Sequence, residues 1–200
     1  NGGLGGQLII GLLFVLLLMV TYIYFERLFA IRSAVKVSPN FMPQIRSFVM
    51  NGKLEGAQQL CLQENVPVAR LISKGLSRIG RPLDDINTAI ENSGRLEVYQ
   101  LEKNISILAT ISGVAPMLGF LGTVIGMILS IFEISNAGGN IDMQLLADGL
   151  YTAMTTTVAG LIVGIVGYIC YNHLVVKTNK AVYQMEASSL EFLDLLNEPA

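Results

Sequence analysis

Two hundred residues suffice for one or two domains, but only 14% of this chain is charged and 52% is hydrophobic. A soluble domain carries about 25% charged residues, so a purely soluble fold is excluded. Net charge is −2, and no strong basic or acidic balance points to nucleic acid or to an acidic substrate.

The missing charge is missing from three places: residues 1–25, 104–132 and 149–176 contain no Asp, Glu, Lys or Arg. Each run exceeds the ~20 residues that a helix needs to cross a ~30 Å hydrocarbon core. The first span is expected from Gln7 to Phe29. It has no polar side chain between Leu8 and Val20, so lipid contact or peripheral packing is its expected role. It lacks a basic leader and a small-residue cleavage site, and so reads as a retained helix rather than a signal peptide. The chain begins at Asn1 rather than Met, so an initiator or a short segment is expected ahead of it.

Residues 30–104 carry most of the charge and read as a helical domain. Pro39 and Pro43 break the chain after the first span, and Asn51-Gly52 and Asn65–Pro67 punctuate short helical patterns. Arg81-Pro82-Leu83-Asp84-Asp85 reads as a helix start, because Pro suits the first turn and acids favour the N-terminal dipole. This helix is expected to run straight into the second span, at 105–134. A polar turn follows at 135–148, then the third span at 149–176. The tail, 177–200, carries Val182, Met185, Leu190, Leu193 and Leu196 among charges and reads as an amphipathic extension of the third span. The fold class is therefore an all-α membrane protein with three spans, the second and third prolonged as long helices.

All thirteen Lys and Arg fall on one side of this topology: eleven between Arg27 and Lys103, then Lys177 and Lys180. The positive-inside rule places the 30–104 domain and the tail in the cytoplasm, with the N-terminus and the 135–148 turn periplasmic. The eleven bases are interspersed with seven acids from Glu55 to Glu102, which leaves no basic patch for nucleic acid. Cys61 and Cys170 fall in different regions, so no disulfide is expected. His173 stands at the cytoplasmic end of the third span. Metal clusters, hydrolytic triads and phosphate loops are absent from the sequence. No enzyme, metal or cofactor is expected.

The second and third spans differ in kind from the first. Ala115–Met127 reads A-P-M-L-G-F-L-G-T-V-I-G-M, and Thr152–Gly167 reads T-A-M-T-T-T-V-A-G-L-I-V-G-I-V-G. Small residues let membrane helices approach closely, which makes Gly119, Gly122, Gly126, Gly160 and Gly164 candidate packing positions. Pro116 is expected to loosen the helix around Ile111 and Ser112. Thr123, Thr152, Thr156 and Thr157 are candidate ion-pathway residues, the competing reading being that their hydroxyls satisfy i−4 carbonyls or helix contacts. A hydroxyl can pass a proton or a hydrated ion through ordered water, though it cannot ionise. Ionisable side chains reach only the span ends: Glu133 and Asp148 at the outer side, Glu26 and Arg27 at the inner. If the protein moves protons, the mid-membrane carboxylate must come from a partner.

The paired motifs A-P-M-L-G-F-L-G-T-V-I-G-M and T-T-T-V-A-G-L resemble the ExbB/TolQ/MotA family, in its three-span ExbB/TolQ branch. The resemblance implies a pore-forming scaffold of an ion-driven motor in the bacterial inner membrane. It also implies a homo-oligomer, typically a pentamer, whose second and third spans surround a pore. An ExbD/TolR-like single-span partner with an intramembrane Asp and a TonB- or TolA-like protein reaching the outer membrane would complete the machine. The family's pore threonines fall on Thr123 and Thr157. Where many members read G-I-A-E-A-L, this chain reads Gly149-Leu-Tyr-Thr152-Ala-Met, with Thr152 in the place of the Glu. The competing reading is an autonomous channel or carrier for an ion or small solute.

Overall fold

The computed structural model describes residues 4–136 and 143–197. Every regular element among them is helical: α1 Leu4–Val35, α2 Phe41–Met50, α3 Leu54–Glu64, α4 Pro67–Leu76, α5 Leu83–Glu102, α6 Ile105–Asn136 and α7 Met143–Asn197. Three stretches of helix, in α1, α6 and α7, are long and apolar enough to cross a membrane. The chain divides into two compact units. One comprises residues 1–25 and 104–173, and the other residues 26–103 and 174–200.

In the first unit, α1 buries one stripe and exposes the rest. Ile9, Leu13, Val20 and Ile23 share a face and are buried, whereas Leu8 and Phe14 are 73% and 61% exposed. A helix apolar on all sides with one inward stripe suits a lipid-facing position. α6 runs through Pro116 without interruption. The proline ring has room because α7 offers a glycine there: a methyl on Gly164 would stand 2.6 Å from the ring. Both helices reach further into the polar turn than the apolar pattern marks, α6 to Asn136 and α7 from Met143. The rest of that turn, 137–142, lies outside the described residues, as do the side chains of Glu133 and Asp148.

The second unit is built on α4, whose Val68, Ala69, Leu71, Ile72 and Leu76 are all buried. Pro67 at its first turn suits the fixed φ that a helix start requires. Phe192 of α7 packs over Gly75, where a methyl would stand 2.6 Å from a ring carbon. An ion pair joins α4 to α5: Arg70 Nε and Nη2 donate to the two carboxylate oxygens of Glu97, each at 2.6 Å. Arg70 Nη1 also donates to the backbone and side-chain oxygens of Asn65, at 2.9 and 3.1 Å. Asn65 closes α3 in a left-handed conformation, φ 44°, so one guanidinium ties a helix end to two further helices. The bond to Glu97 raises the Arg70 pKa against the opposing effect of burial.

One sequence expectation changes here. The continuous helix from Leu83 into the second span is interrupted at Lys103-Asn104, where Asn104 takes φ 65°. Asn tolerates this left-handed conformation better than most residues, and the local turn overrides a helical pattern on both sides. The C-terminal continuity does hold, for α7 runs unbroken over 55 residues. Its buried face, however, consists of Leu174, Thr178, Ala181, Met185, Phe192 and Leu195. Of the apolar tail residues picked from the pattern, Leu190 is 62% exposed, and Val182, Leu193 and Leu196 are half-buried.

Candidate functional site

The candidate site lies within the first unit, where α6 and α7 meet along their small residues. A methyl on Gly119 would stand 2.8 Å from the Thr156 carbonyl oxygen and 3.1 Å from the Gly160 Cα. One on Gly160 would stand 2.6 Å from the Ala115 carbonyl oxygen and 2.9 Å from the Gly119 Cα. Gly126 faces Ala153, Gly122 faces the Thr156 hydroxyl, and Gly164 faces Pro116. At Gly119 and Gly160 the neighbour is backbone, which cannot rotate aside. Such close approach is how helices bind each other where no hydrophobic force favours association. Ser130 belongs to the same seam: it is 4% exposed and donates to the Gly126 carbonyl at 2.9 Å.

Two candidate threonines converge on one backbone oxygen. Thr157 Oγ1 donates to the Gly119 carbonyl across the seam at 3.1 Å. Thr156 Oγ1 lies 3.4 Å from that oxygen and 2.7 Å from the Ala153 carbonyl. Gly119 also stands one helical turn before Thr123, whose hydroxyl donates to the Phe120 carbonyl at 2.6 Å. The sequence marked Gly119 only as a packing position. Its carbonyl is in addition the acceptor that orients the Thr157 hydroxyl and leaves that hydroxyl's lone pairs for water or a cation. No sequence signal identifies that role, because every residue has a carbonyl.

The four threonines do not share one surface. Thr156 is wholly buried and sits inside the seam, where it meets Gly122. No open surface remains for it to line. Thr152 faces α1: a methyl on Gly6 would stand 2.7 Å from Thr152 Cγ2. Thr152 and Thr157 are about 140° apart around α7, at about 100° per residue. On α6, Ile125 meets α1 through Gly5, at 3.3 Å from a Cβ built there, and Thr123 lies about 160° around from Ile125. A third contact with α1 comes from the hydrogen bond between Tyr24 OH and His173 Nδ1, 2.8 Å. All three contacts place α1 on one flank of the helix pair. Thr123 and Thr157, both half-buried, stand on the other flank, beside exposed Phe120, Met127, Met154 and Leu161.

That flank can position hydroxyls and backbone carbonyls for water or an ion, but it carries no charge. From Ile105 to Phe132 and from Gly149 to Asn172 there is no Asp, Glu, Lys, Arg or His. Arg27, expected at the inner end of α1, donates to Glu26 and, at 3.2 Å, to the Gln100 carbonyl at the end of α5. There it offsets the negative pole of that helix.

Comparison with known proteins follows the same lines. Residues 63–187 match the family model described as the MotA/TolQ/ExbB proton channel family. An ExbB homolog of Methanothermobacter thermautotrophicus is 31% identical over 156 residues, which cover 76% of this chain and 54% of that protein. The biopolymer transport protein ExbB of Aquifex aeolicus is 38% identical over 112 residues, 54% of this chain and 74% of that one. The Tol-Pal system protein TolQ of Haemophilus influenzae is 31% identical over 105 residues, 52% and 45% of the two chains. The chain thus spans about half the length of the Methanothermobacter relative and of the TolQ protein.

Proposed function

Because the chain belongs to the MotA/TolQ/ExbB proton channel family, we propose that it is the pore-forming scaffold subunit of an ion-driven motor in the inner membrane. Copies of the chain assemble as a homo-oligomer, a pentamer by analogy, with the Thr123/Thr157 flank turned inward and α1 outward. The partner is an ExbD/TolR-like single-span protein whose intramembrane Asp supplies the carboxylate that this chain lacks. A TonB- or TolA-like protein carries the resulting motion to the outer membrane. The distribution of Lys and Arg supports a periplasmic N-terminus and a cytoplasmic C-terminus.

One observation carries this reading: Thr123 and Thr157 share the flank that α1 leaves uncovered, and that flank has hydroxyls but no ionisable group. A proton path needs a group that takes up and releases a proton, so a second protein must bring one. Thr157 and Thr123 are the pathway residues in this reading. Thr156 is assigned to the seam, and Thr152 to the contact with α1 in place of a Glu-based relay.

The test is co-expression with an ExbD/TolR-like single-span protein, followed by purification and proton-flux measurement in vesicles. Co-purification is expected, with flux only from the complex. Thr157→Val is expected to abolish coupled work while assembly persists, since it removes one interhelical hydrogen bond worth about 0.6 kcal/mol. Ion or solute flux through the purified chain alone would favour the autonomous channel instead.

A further inference from the structure

On the reading of a stator subunit with a single-span partner, we infer that the groove between α5 and the C-terminal part of α7 receives a cationic amphipathic segment of that partner's cytoplasmic tail. The groove lies wholly within the second unit and encloses about 680 Å³. Its floor is apolar, formed by Leu71, Ile90 and Met185, all at most 3% exposed, together with half-buried Leu193. Its rim is acidic. Glu91, Glu102 and Glu186 stand against a single guanidinium, Arg95.

Three features select the occupant. First, the rim is acidic within a unit that is nearly balanced, with thirteen bases and twelve acids across residues 26–103 and 174–200. Second, among the described residues, Glu102 and Glu186 have neither an ion-pair nor a hydrogen-bond partner. Their charge remains available to an incoming cation. Third, exposed Tyr99 and Leu190 continue the apolar floor out to the edge, at 74% and 62% exposure. An apolar trough with a carboxylate rim fits a short helix with aliphatic residues on one face and Lys or Arg on the other. A single-span protein inserted with its short tail in the cytoplasm carries such Lys and Arg beside the membrane, by the rule that orients this chain. Anionic lipid headgroups and nucleic acid would be repelled by the same carboxylates.

The test uses the full-length chain carrying Tyr99→p-benzoylphenylalanine, co-expressed with the single-span protein and irradiated in membranes. A cross-link to that protein's cytoplasmic tail is expected. If the two proteins co-purify but the cross-link falls on a second copy of this chain, or on nothing, the docking inference is overturned and the stator reading stands. If they do not co-purify, both fall. Glu102→Lys with Glu186→Lys is expected to cut the cross-link yield roughly five- to tenfold, the scale of two exposed charge pairs made repulsive, with co-purification unchanged. Reversing the tail's Lys and Arg to Glu should then restore it. A yield indifferent to both changes would overturn the inference.

Discussion

The two units hold their helices together by opposite means. In the membrane unit, α6 and α7 meet through glycine backbone, with Gly160 so close to Ala115 and Gly119 that no side chain fits between. In the charged unit, α4, α5 and the end of α7 meet through large side chains: Phe192, Leu71, Ile72 and Ile90, with the Arg70–Glu97 pair. The physical reason is the solvent. Water drives apolar side chains together at about 25 cal/mol per Å², so bulk is an asset there. Lipid is as apolar as leucine and supplies no such drive, so helices associate by close backbone contact and cross-helix hydrogen bonds.

The contrast is sharpest where one distance recurs with different neighbours. A methyl at Gly160 and one at Gly75 would each stand 2.6 Å from the nearest atom, a carbonyl oxygen in the first case and a Phe192 ring carbon in the second. Gly160→Val is therefore expected to have the largest effect, at or beyond the ~3 kcal/mol upper end for overpacking. Solubilised protein should lose its monodisperse peak on size exclusion. A normal peak would mean that the seam is not the membrane unit's principal contact.

Arg70→Ala comes next, because it strands a Glu97 that is 7% exposed. Breaking a fully buried pair costs about 3–5 kcal/mol; the guanidinium here is partly exposed, so about 2 kcal/mol is expected. Thermal unfolding of the full chain would measure it, with Arg70→Lys recovering only part, since an ammonium cannot engage both carboxylate oxygens as a fork. Gly75→Ala should be milder, about 1–2 kcal/mol, because the Phe192 ring and the Ile90 chain can shift. Equal damage from Gly75→Ala and Gly160→Val would break the comparison between side-chain and backbone packing.

The smallest effect concerns Cys61, buried in the charged unit. Burial pushes its thiol from 9.0 up to about 11. The folded form is thus the weaker acid, and the stability tied to the neutral thiol is complete below pH 9 and lost as pH rises through about 11. Alkylation by iodoacetamide at pH 8 should be slow in the folded protein and fast after denaturation. Rapid labelling of the native chain would place Cys61 on the surface.

Much of this was legible in the residues. Three uncharged runs identify three helices able to span, because a charge-free helix of that length has few other uses. The glycine spacing in the second and third spans sets which residues share a helix face, Gly122 with Gly126 and Gly160 with Gly164, but which residues stand opposite them, Gly119 against Gly160 and Pro116 against Gly164, comes from the packing. Less legible was the break at Asn104, where helical patterns on both sides disguise a single left-handed residue. Which of the tail's apolar residues are buried was not legible either. Met185 is buried and Leu190 exposed, although both are apolar, and Ala181 and Phe192 complete the buried face.

By itself, then, the sequence determined that the chain crosses a membrane, that two of its spans are built for close contact, and that no charge lies within them. Helical periodicity also sets the angle between Thr152 and Thr157. Periodicity cannot say where that angle points, because the phase of a helix relative to its neighbours depends on which surfaces fit. The tertiary structure decided it. α1 packs on the Thr152 and Ile125 flank, Thr156 closes into the seam, and Thr123 and Thr157 are left together on the open side.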